Sequence, residues 1–215
     1  MAPFTLIIGN KNYSSWSLRA WLTLKQSGIP FEEIRIPLDQ PNTRSQLLQH
    51  SPSGLVPVLK HGSLTLWESL AICEYIAEQA PDRLLYPAGM EERAVARSVS
   101  AEMHAGFAAL RQYLPMDCRS RISKHPIPDN VQAEIDRVLE LWRMCRQEFG
   151  EGGEFLFGQF SIPDAMFAPV VTRFITYDVA MDDVSQAYAA SILSLPAMQE
   201  WLTAAAAEVE VIDDP

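Results

Sequence analysis

The stretch Ser51-Pro-Ser-Gly-Leu-Val-Pro57, running directly into Val58-Leu-Lys-His61-Gly62-Ser-Leu64-Thr-Leu-Trp67 and Glu68-Ser69, decides the fold. Pro57-Val-Leu-Lys-His61 and Leu64-Thr-Leu-Trp67 are two short apolar-rich strands around a glycine turn, which makes a hairpin. Ser69 to Ala80 follows with Ile72, Cys73, Tyr75 and Ile76 at helical spacing, and Pro81 ends it. A proline opening a strand cannot donate to the sheet ladder. Two readings of Pro57 stand at this point. It is either a trans residue that starts the strand, or the second member of a cis peptide that turns the N–H and C=O of Val56 outward toward an extended ligand, X-Pro being the bond at which cis is cheap.

Upstream, Phe4-Thr-Leu-Ile-Ile8 is a short buried strand ending at Gly9. After the polar run Asn10 to Ser15, Leu18, Trp21, Leu22 and Leu24 mark a helix closed by Gly28 and Pro30. Phe31 to Ile36 reads as a second strand and Thr43 to His50 as a short helix, giving the order β-α-β-α-β-β-α. Downstream of Pro87 strand signals vanish, and apolar periodicity predicts helices over Glu91–Leu114, Val131–Phe149, Ile162–Val179 and Leu195–Ala207. The change of pattern predicts a mixed α/β domain over residues 1–80, a linker over 81–87 and an all-helical domain over 88–215.

The 215 residues include 17 Lys+Arg against 27 Asp+Glu, a net charge of −10, which argues against a binder of phosphate backbones. No apolar run approaches the roughly 20 residues of a membrane helix, and no basic leader opens the chain, so a soluble cytoplasmic protein is expected. Cys73, Cys118 and Cys145 are widely spaced, as are His50, His61, His104 and His125, so neither a disulfide framework nor a metal site is expected.

Three places offer chemistry. Glu68-Ser69 stands where the hairpin hands over to a helix: Ser69 brings a hydroxyl and N–H groups to the positive helix end, suited to a carboxylate, and Glu68 suits an ammonium group. Tyr13-Ser-Ser-Trp-Ser17 precedes the first helix, where hydroxyls and N–H groups can stabilise an anion such as a thiolate. With no histidine within ten residues, these serines are donors rather than nucleophiles. On the predicted 91–114 helix, His104, Phe107 and Arg111 share one face. Phe107 also belongs to the core stripe of Met103, Leu110 and Leu114, which leaves His104 and Arg111 as candidates to line a pocket. Ser161-Ile-Pro-Asp164 is a capping box. Arg19 reads as structural and Cys73 as a core residue.

Together Ser14-Ser-Trp-Ser-Leu-Arg19, Ser51-Pro-Ser-Gly-Leu-Val-Pro57, Trp67-Glu-Ser-Leu-Ala-Ile72 with Glu74-Tyr-Ile76, and Phe157-Gly-Gln-Phe-Ser-Ile-Pro-Asp-Ala165 resemble the cytosolic glutathione transferase superfamily over the whole chain. The resemblance implies a thioredoxin-like N-terminal domain joined to an all-helical C-terminal domain, a homodimer, glutathione as co-substrate and a small electrophile as its partner. It implies that Val56 beside cis-Pro57 pairs with the cysteinyl backbone of glutathione, that Glu68 and Ser69 hold its γ-glutamyl end, and that a first-loop serine faces the thiol. The serine run is most similar to the zeta class, which includes maleylacetoacetate isomerases but carries a cysteine in place of Trp16. That class also has an arginine seven residues after a proline; Arg173 is only four after Pro169 and is given no role. A non-enzymatic docking module on the same fold is the opposing reading. Ser15 is expected to cap the helix, leaving Ser14 to act on the thiol, with Ser15 its rival and Tyr13 and Trp16 as pocket walls.

Overall fold

The computed structural model describes residues 3–123 and 125–212. Strands β1 (Phe4–Ile8), β2 (Phe31–Arg35), β3 (Val58–His61) and β4 (Leu64–Trp67) form one sheet in the order β2-β1-β3-β4. β1 runs parallel to β2 and antiparallel to β3, and β3 pairs antiparallel with β4 across Gly62-Ser63. Phe4, Leu6 and Ile8 point into the main core with helices α1 (Ser15–Ser27) and α3 (Ser69–Gln79). Ile7 points the other way, packing with Ile36, Val58 and Leu47 of the short helix α2 (Thr43–Leu47). Burial on both faces explains why β1 reads as a continuous apolar run and not as an alternation. α1 ends where Gly28 adopts φ 72°, its N–H returning to the Lys25 carbonyl.

A 3₁₀ turn (Pro81–Arg83) leads to helices α4 (Met90–Ala105), α5 (Ala108–Tyr113), α6 (Asp129–Phe149), α7 (Ile162–Thr176), α8 (Asp183–Ser194) and α9 (Pro196–Ala207). Among the described residues no strand lies beyond Trp67. The expected mixed domain followed by a helical domain is the observed architecture. The two share one apolar core, because α1 packs on α7 and Trp21 meets Trp201 of α9 edge-on at 5.2 Å.

Two expectations need correction. The single helix over Glu91–Leu114 is broken: Gly106 is extended, Phe107 sits in the left-handed region at φ 57°, and a new helix begins at Ala108. Glu134 of α6 makes the break possible by accepting the free N–H groups of Ala109 (3.4 Å) and Leu110 (2.7 Å). His104 and Arg111 therefore do not share one helix face. The second correction is α8, which sequence periodicity did not predict; Asp182 caps it by accepting from the Ser185 N–H at 3.0 Å.

The capping box of α7 forms as expected. Ser161 N–H donates to the Asp164 carboxylate at 2.8 Å, and so does the Leu156 N–H at 3.1 Å, tying the preceding loop to the helix.

Candidate active site

A groove runs along the ends of β3, α1 and α3 and over the start of the helical domain. Its first chamber, about 320 Å³, is lined by Trp16, Ser53, Val56, Pro57, Glu68 and Ser69. The Val56–Pro57 bond is cis. Among the described residues the N–H and C=O of Val56 have no hydrogen-bond partner, so an extended backbone could pair with both. The Ser69 hydroxyl is also buried without a partner. Ser69 opens α3, whose first intrahelical bond is made by Ile72 N–H to the Glu68 carbonyl, so the N–H groups of the first turn are free for an anion. Glu68 itself holds φ 71° and ψ 118°, a conformation costing a non-glycine residue about 1–3 kcal/mol. That strained turn at the helix start places the exposed Glu68 carboxylate and the free Ser69 groups in one chamber. A carboxylate and an ammonium could be held there together.

The second chamber, about 550 Å³, shares Trp16, Leu55 and Val56 with the first and adds Tyr13, Ser14, Ser15, Arg111 and Arg173. The helix start between them differs from expectation. Ser14, not Ser15, is the N-cap: its oxygen accepts from the Ser17 N–H at 3.4 Å and its hydroxyl donates to Ser17 Oγ at 2.7 Å. Ser17 Oγ in turn accepts from the Gly9 N–H at 3.1 Å, fastening the helix to the end of β1. Ser14 is thus committed to the helix. Ser15 is the first helical residue; its N–H reaches the Tyr13 carbonyl at 3.0 Å while its hydroxyl, at the chamber wall, has no partner among the described residues. The Trp16 N–H is likewise free. Ser14→Ala should cost about 1 kcal/mol of stability as a lost cap, read from a thermal melt.

Trp16 stands between the chambers. The Arg19 guanidinium lies 4.4 Å from its ring and that of Arg111 5.1 Å, with His104 edge-on at 5.3 Å. So His104 and Arg111, separated by the helix break, still meet at Trp16. His104 Nε2 is 3.5 Å from the Glu68 carboxylate, but burial, followed by repulsion from Arg19, pulls its pKa below the usual value. The contact is one between a neutral imidazole and a carboxylate at pH 7, not an ion pair. Arg19 is fully buried and none of its three side-chain nitrogens finds a partner; burial, then Arg173 and Arg111, pulls its pKa down to about 9. Arg173, set aside on register, lines the second chamber, its Nε donating to the Leu114 carbonyl at 2.8 Å. Pro169, four residues before it, lies inside α7 without ending the helix.

The loop carrying the serines is anchored by the chain's last described segment, which nothing in the sequence had marked. Glu208 accepts from the Lys11 N–H (2.7 Å) and the Asn12 N–H (3.0 Å) through separate oxygens. Trp201 Nε1 donates to the Lys11 carbonyl at 2.9 Å, and Arg119 joins the Glu208 carbonyl to the Tyr13 hydroxyl. Tyr13 is a chamber wall with its phenol already engaged. Glu208→Ala leaves two N–H groups without acceptors and should cost about 2 kcal/mol in a denaturant titration.

The comparisons with known proteins agree with this geometry. The chain matches the N-terminal domain of glutathione S-transferases over residues 13–79 and their C-terminal domain over residues 128–204. It is 27% identical to glutathione S-transferase 1 of Dianthus caryophyllus over 173 residues, 75% of this chain and 73% of that one. It is 36% identical to the maleylacetoacetate isomerase of Rattus norvegicus, over 100 residues and 45% of each chain. The match spans from 53% to 73% of the length of the plant transferases it resembles. Its fold is that of a glutathione transferase homologue from Burkholderia solved with glutathione bound (TM-score 0.71, 24% identity, 94% of this chain and 97% of that one). With one domain matched on each side of the groove, and relatives that span both, the chain belongs to the glutathione S-transferase superfamily.

Proposed function

We propose that this chain is a glutathione S-transferase that binds glutathione in the first chamber and activates its thiol at the Ser15 hydroxyl and Trp16 N–H. The observation that carries the reading is a set of free groups along one groove: Val56 N–H and C=O, the buried Ser69 hydroxyl and the open first turn of α3 in the first chamber, and the Ser15 hydroxyl in the second chamber, which shares Trp16 and Val56 with it. Val56 beside Pro57 would pair with the cysteinyl backbone, and Ser69 and Glu68 would hold the γ-glutamyl carboxylate and ammonium. Ser15, with Ser14 keeping the helix start in place, would donate to the sulfur. In the reaction the thiol proton leaves to solvent, the sulfur forms a bond to an electrophilic carbon in the second chamber, and a leaving group departs with its electron pair. Glutathione is the co-substrate; among the described residues no group of three or more His, Cys, Asp or Glu side chains is placed to hold a metal ion.

The division into a glutathione-binding domain over 1–80, a linker over 81–87 and a helical domain over 88–215 that completes the electrophile site belongs to the same proposal. So does a homodimer in the cytoplasm. Among the described residues no helix is long and apolar enough to cross a membrane. Leu64 at the start of β4 and Met90 at the start of α4 are exposed, and Trp67 is exposed while also lining the first chamber. Sedimentation at micromolar concentration should give twice the 24.1 kDa of one chain; a single-chain species would remove the dimer.

A maleylacetoacetate-type isomerase is the second reading, favoured by the match to the rat protein. Trp16 fills the place of that class's cysteine. The docking-module reading is opposed by the open Ser69 and Val56 groups, which a module without a ligand would have no reason to leave unpaired. Calorimetric titration with glutathione tests the choice. Binding that weakens at least tenfold in Ser69→Ala supports the transferase, and no heat with no thermal shift at millimolar glutathione supports the docking module.

A further inference from the structure

The second chamber has an unusual charge arrangement for a chain of net charge −10. Arg111 and Arg173 line it, Arg19 lies directly behind Trp16, and no carboxylate lines it. Glu68 lies on the first-chamber side of Trp16, against His104, and two acids beside the segments that line the second chamber are committed elsewhere. Glu134, which favours the charge on Arg111, already accepts the Ala109 and Leu110 N–H groups. Asp117 accepts from Asn12 Nδ2 (2.8 Å), from the Arg119 N–H (3.1 Å) and from the Ser120 hydroxyl (2.6 Å). Arg173 is held by two backbone carbonyls, those of Leu114 and Pro169, and by no acid. The Arg19 guanidinium has no hydrogen-bond partner among the described residues.

Buried charges in folded proteins are paired or hydrogen-bonded, because an isolated one is costly. Arg19 is buried with no hydrogen-bond partner for its guanidinium among the described residues, Arg173 is buried with carbonyls but no counter-charge, and Arg111 has only the already engaged Glu134, so the groove beside them is where a ligand would bring a negative charge. The cation–π contacts to Trp16 hold Arg19 and Arg111 in place but cancel no charge.

We propose that the electrophile taken by this site carries a carboxylate, which seats in the second chamber against Arg111 and Arg173 beside Trp16. The proposal rests on the transferase reading and adds to it the charge of the second substrate. Arg111, partly exposed on α5, makes the direct contact; Arg173 supports it from α7; Arg19 acts from behind the indole by its field and is a positioning residue. An uncharged electrophile of equal size would leave Arg19 and Arg173 without a counter-charge.

The test compares two S-substituted glutathiones that differ only in this charge, S-carboxymethylglutathione and S-carbamoylmethylglutathione, by calorimetric titration at low salt. The carboxylate should bind about tenfold or more tightly than the amide, as a charge-assisted contact requires. Arg111→Gln should bring the ratio below about 3, and raising the salt should shrink it in the wild type but not in the variant. Arg19→Met should narrow the ratio partly while raising the melting temperature by about 2–4 °C, since it removes an unpaired buried charge; a merely structural arginine would lower both. Equal binding of the two conjugates, or a ratio unchanged in Arg111→Gln, overturns the proposal while the transferase reading stands. Failure of both conjugates and of glutathione itself overturns the two together.

Discussion

Replacing Ser15 by alanine should lower turnover about 10- to 100-fold, ~1.4–2.7 kcal/mol of transition-state stabilisation, with little change in glutathione affinity. A free thiol with pKa about 8.5 is only a few per cent ionised at pH 7, and each ~1.4 kcal/mol given to the thiolate changes its ratio to thiol tenfold. One donor aimed at the sulfur is therefore worth one to two orders of magnitude. The proposal gives that role to Ser15 because its hydroxyl is uncommitted at the chamber wall, while Ser14 donates to Ser17 Oγ. In the proposed reading affinity comes from Val56, Glu68 and Ser69, which Ser15→Ala does not alter. Steady-state kinetics and a binding titration on the two single variants separate the roles. A large loss of turnover in Ser14→Ala with none in Ser15→Ala would reverse the assignment.

The second large effect is on stability. Asp164 is fully buried at the start of α7 and accepts from the Leu156 N–H (3.1 Å), the Ser161 N–H (2.8 Å) and the Ser161 hydroxyl (3.0 Å). Asp164→Ala strands two buried N–H groups at once and should cost about 3 kcal/mol, or roughly 6–12 °C in melting temperature for a chain of this size. Burial pushes the Asp164 carboxyl up to about 6, against the pull of its hydrogen bonds. A carboxyl whose folded pKa is raised contributes most below its unfolded value and loses that contribution as pH rises through the folded one. The gap between wild type and Asp164→Ala should thus be widest near pH 4 and narrow through about pH 6. Melting curves at several pH values check this; a gap that widens with pH would show that the ionised form is favoured by folding.

The elements that position the first chamber were legible because their signals are local. The Gly62 turn, the Pro57 strand start, the Ser69 helix start and the capping box at Ser161 each depend on a few adjacent residues. The helical domain was less so. Gly106 interrupts an otherwise periodic run, and a lone glycine is compatible with a continuous helix. What breaks the run is Glu134, an acid 24 residues beyond Leu110 that satisfies the new helix start. The choice between Ser14 and Ser15 turned on one residue of register at a helix boundary, which two adjacent serines leave ambiguous. Arg19 and Glu208 were unreadable for a different reason. The isolation of Arg19 arises only when Arg111 of α5 and Arg173 of α7 converge on it and on Trp16, its neighbour one turn back on α1. The grip of Glu208 on Lys11 and Asn12 spans nearly the whole chain. Local pattern carries no information about either.

The central claim is that this groove binds glutathione and ionises its thiol at the start of α1. Ultraviolet thiolate absorbance of the glutathione complex, titrated against pH, measures both parts at once. The account predicts a midpoint at least about one unit below the 8.5 of a free thiol, returning toward that value in Ser15→Ala. A midpoint equal to that of free glutathione, in the wild type at saturating concentration, would contradict it.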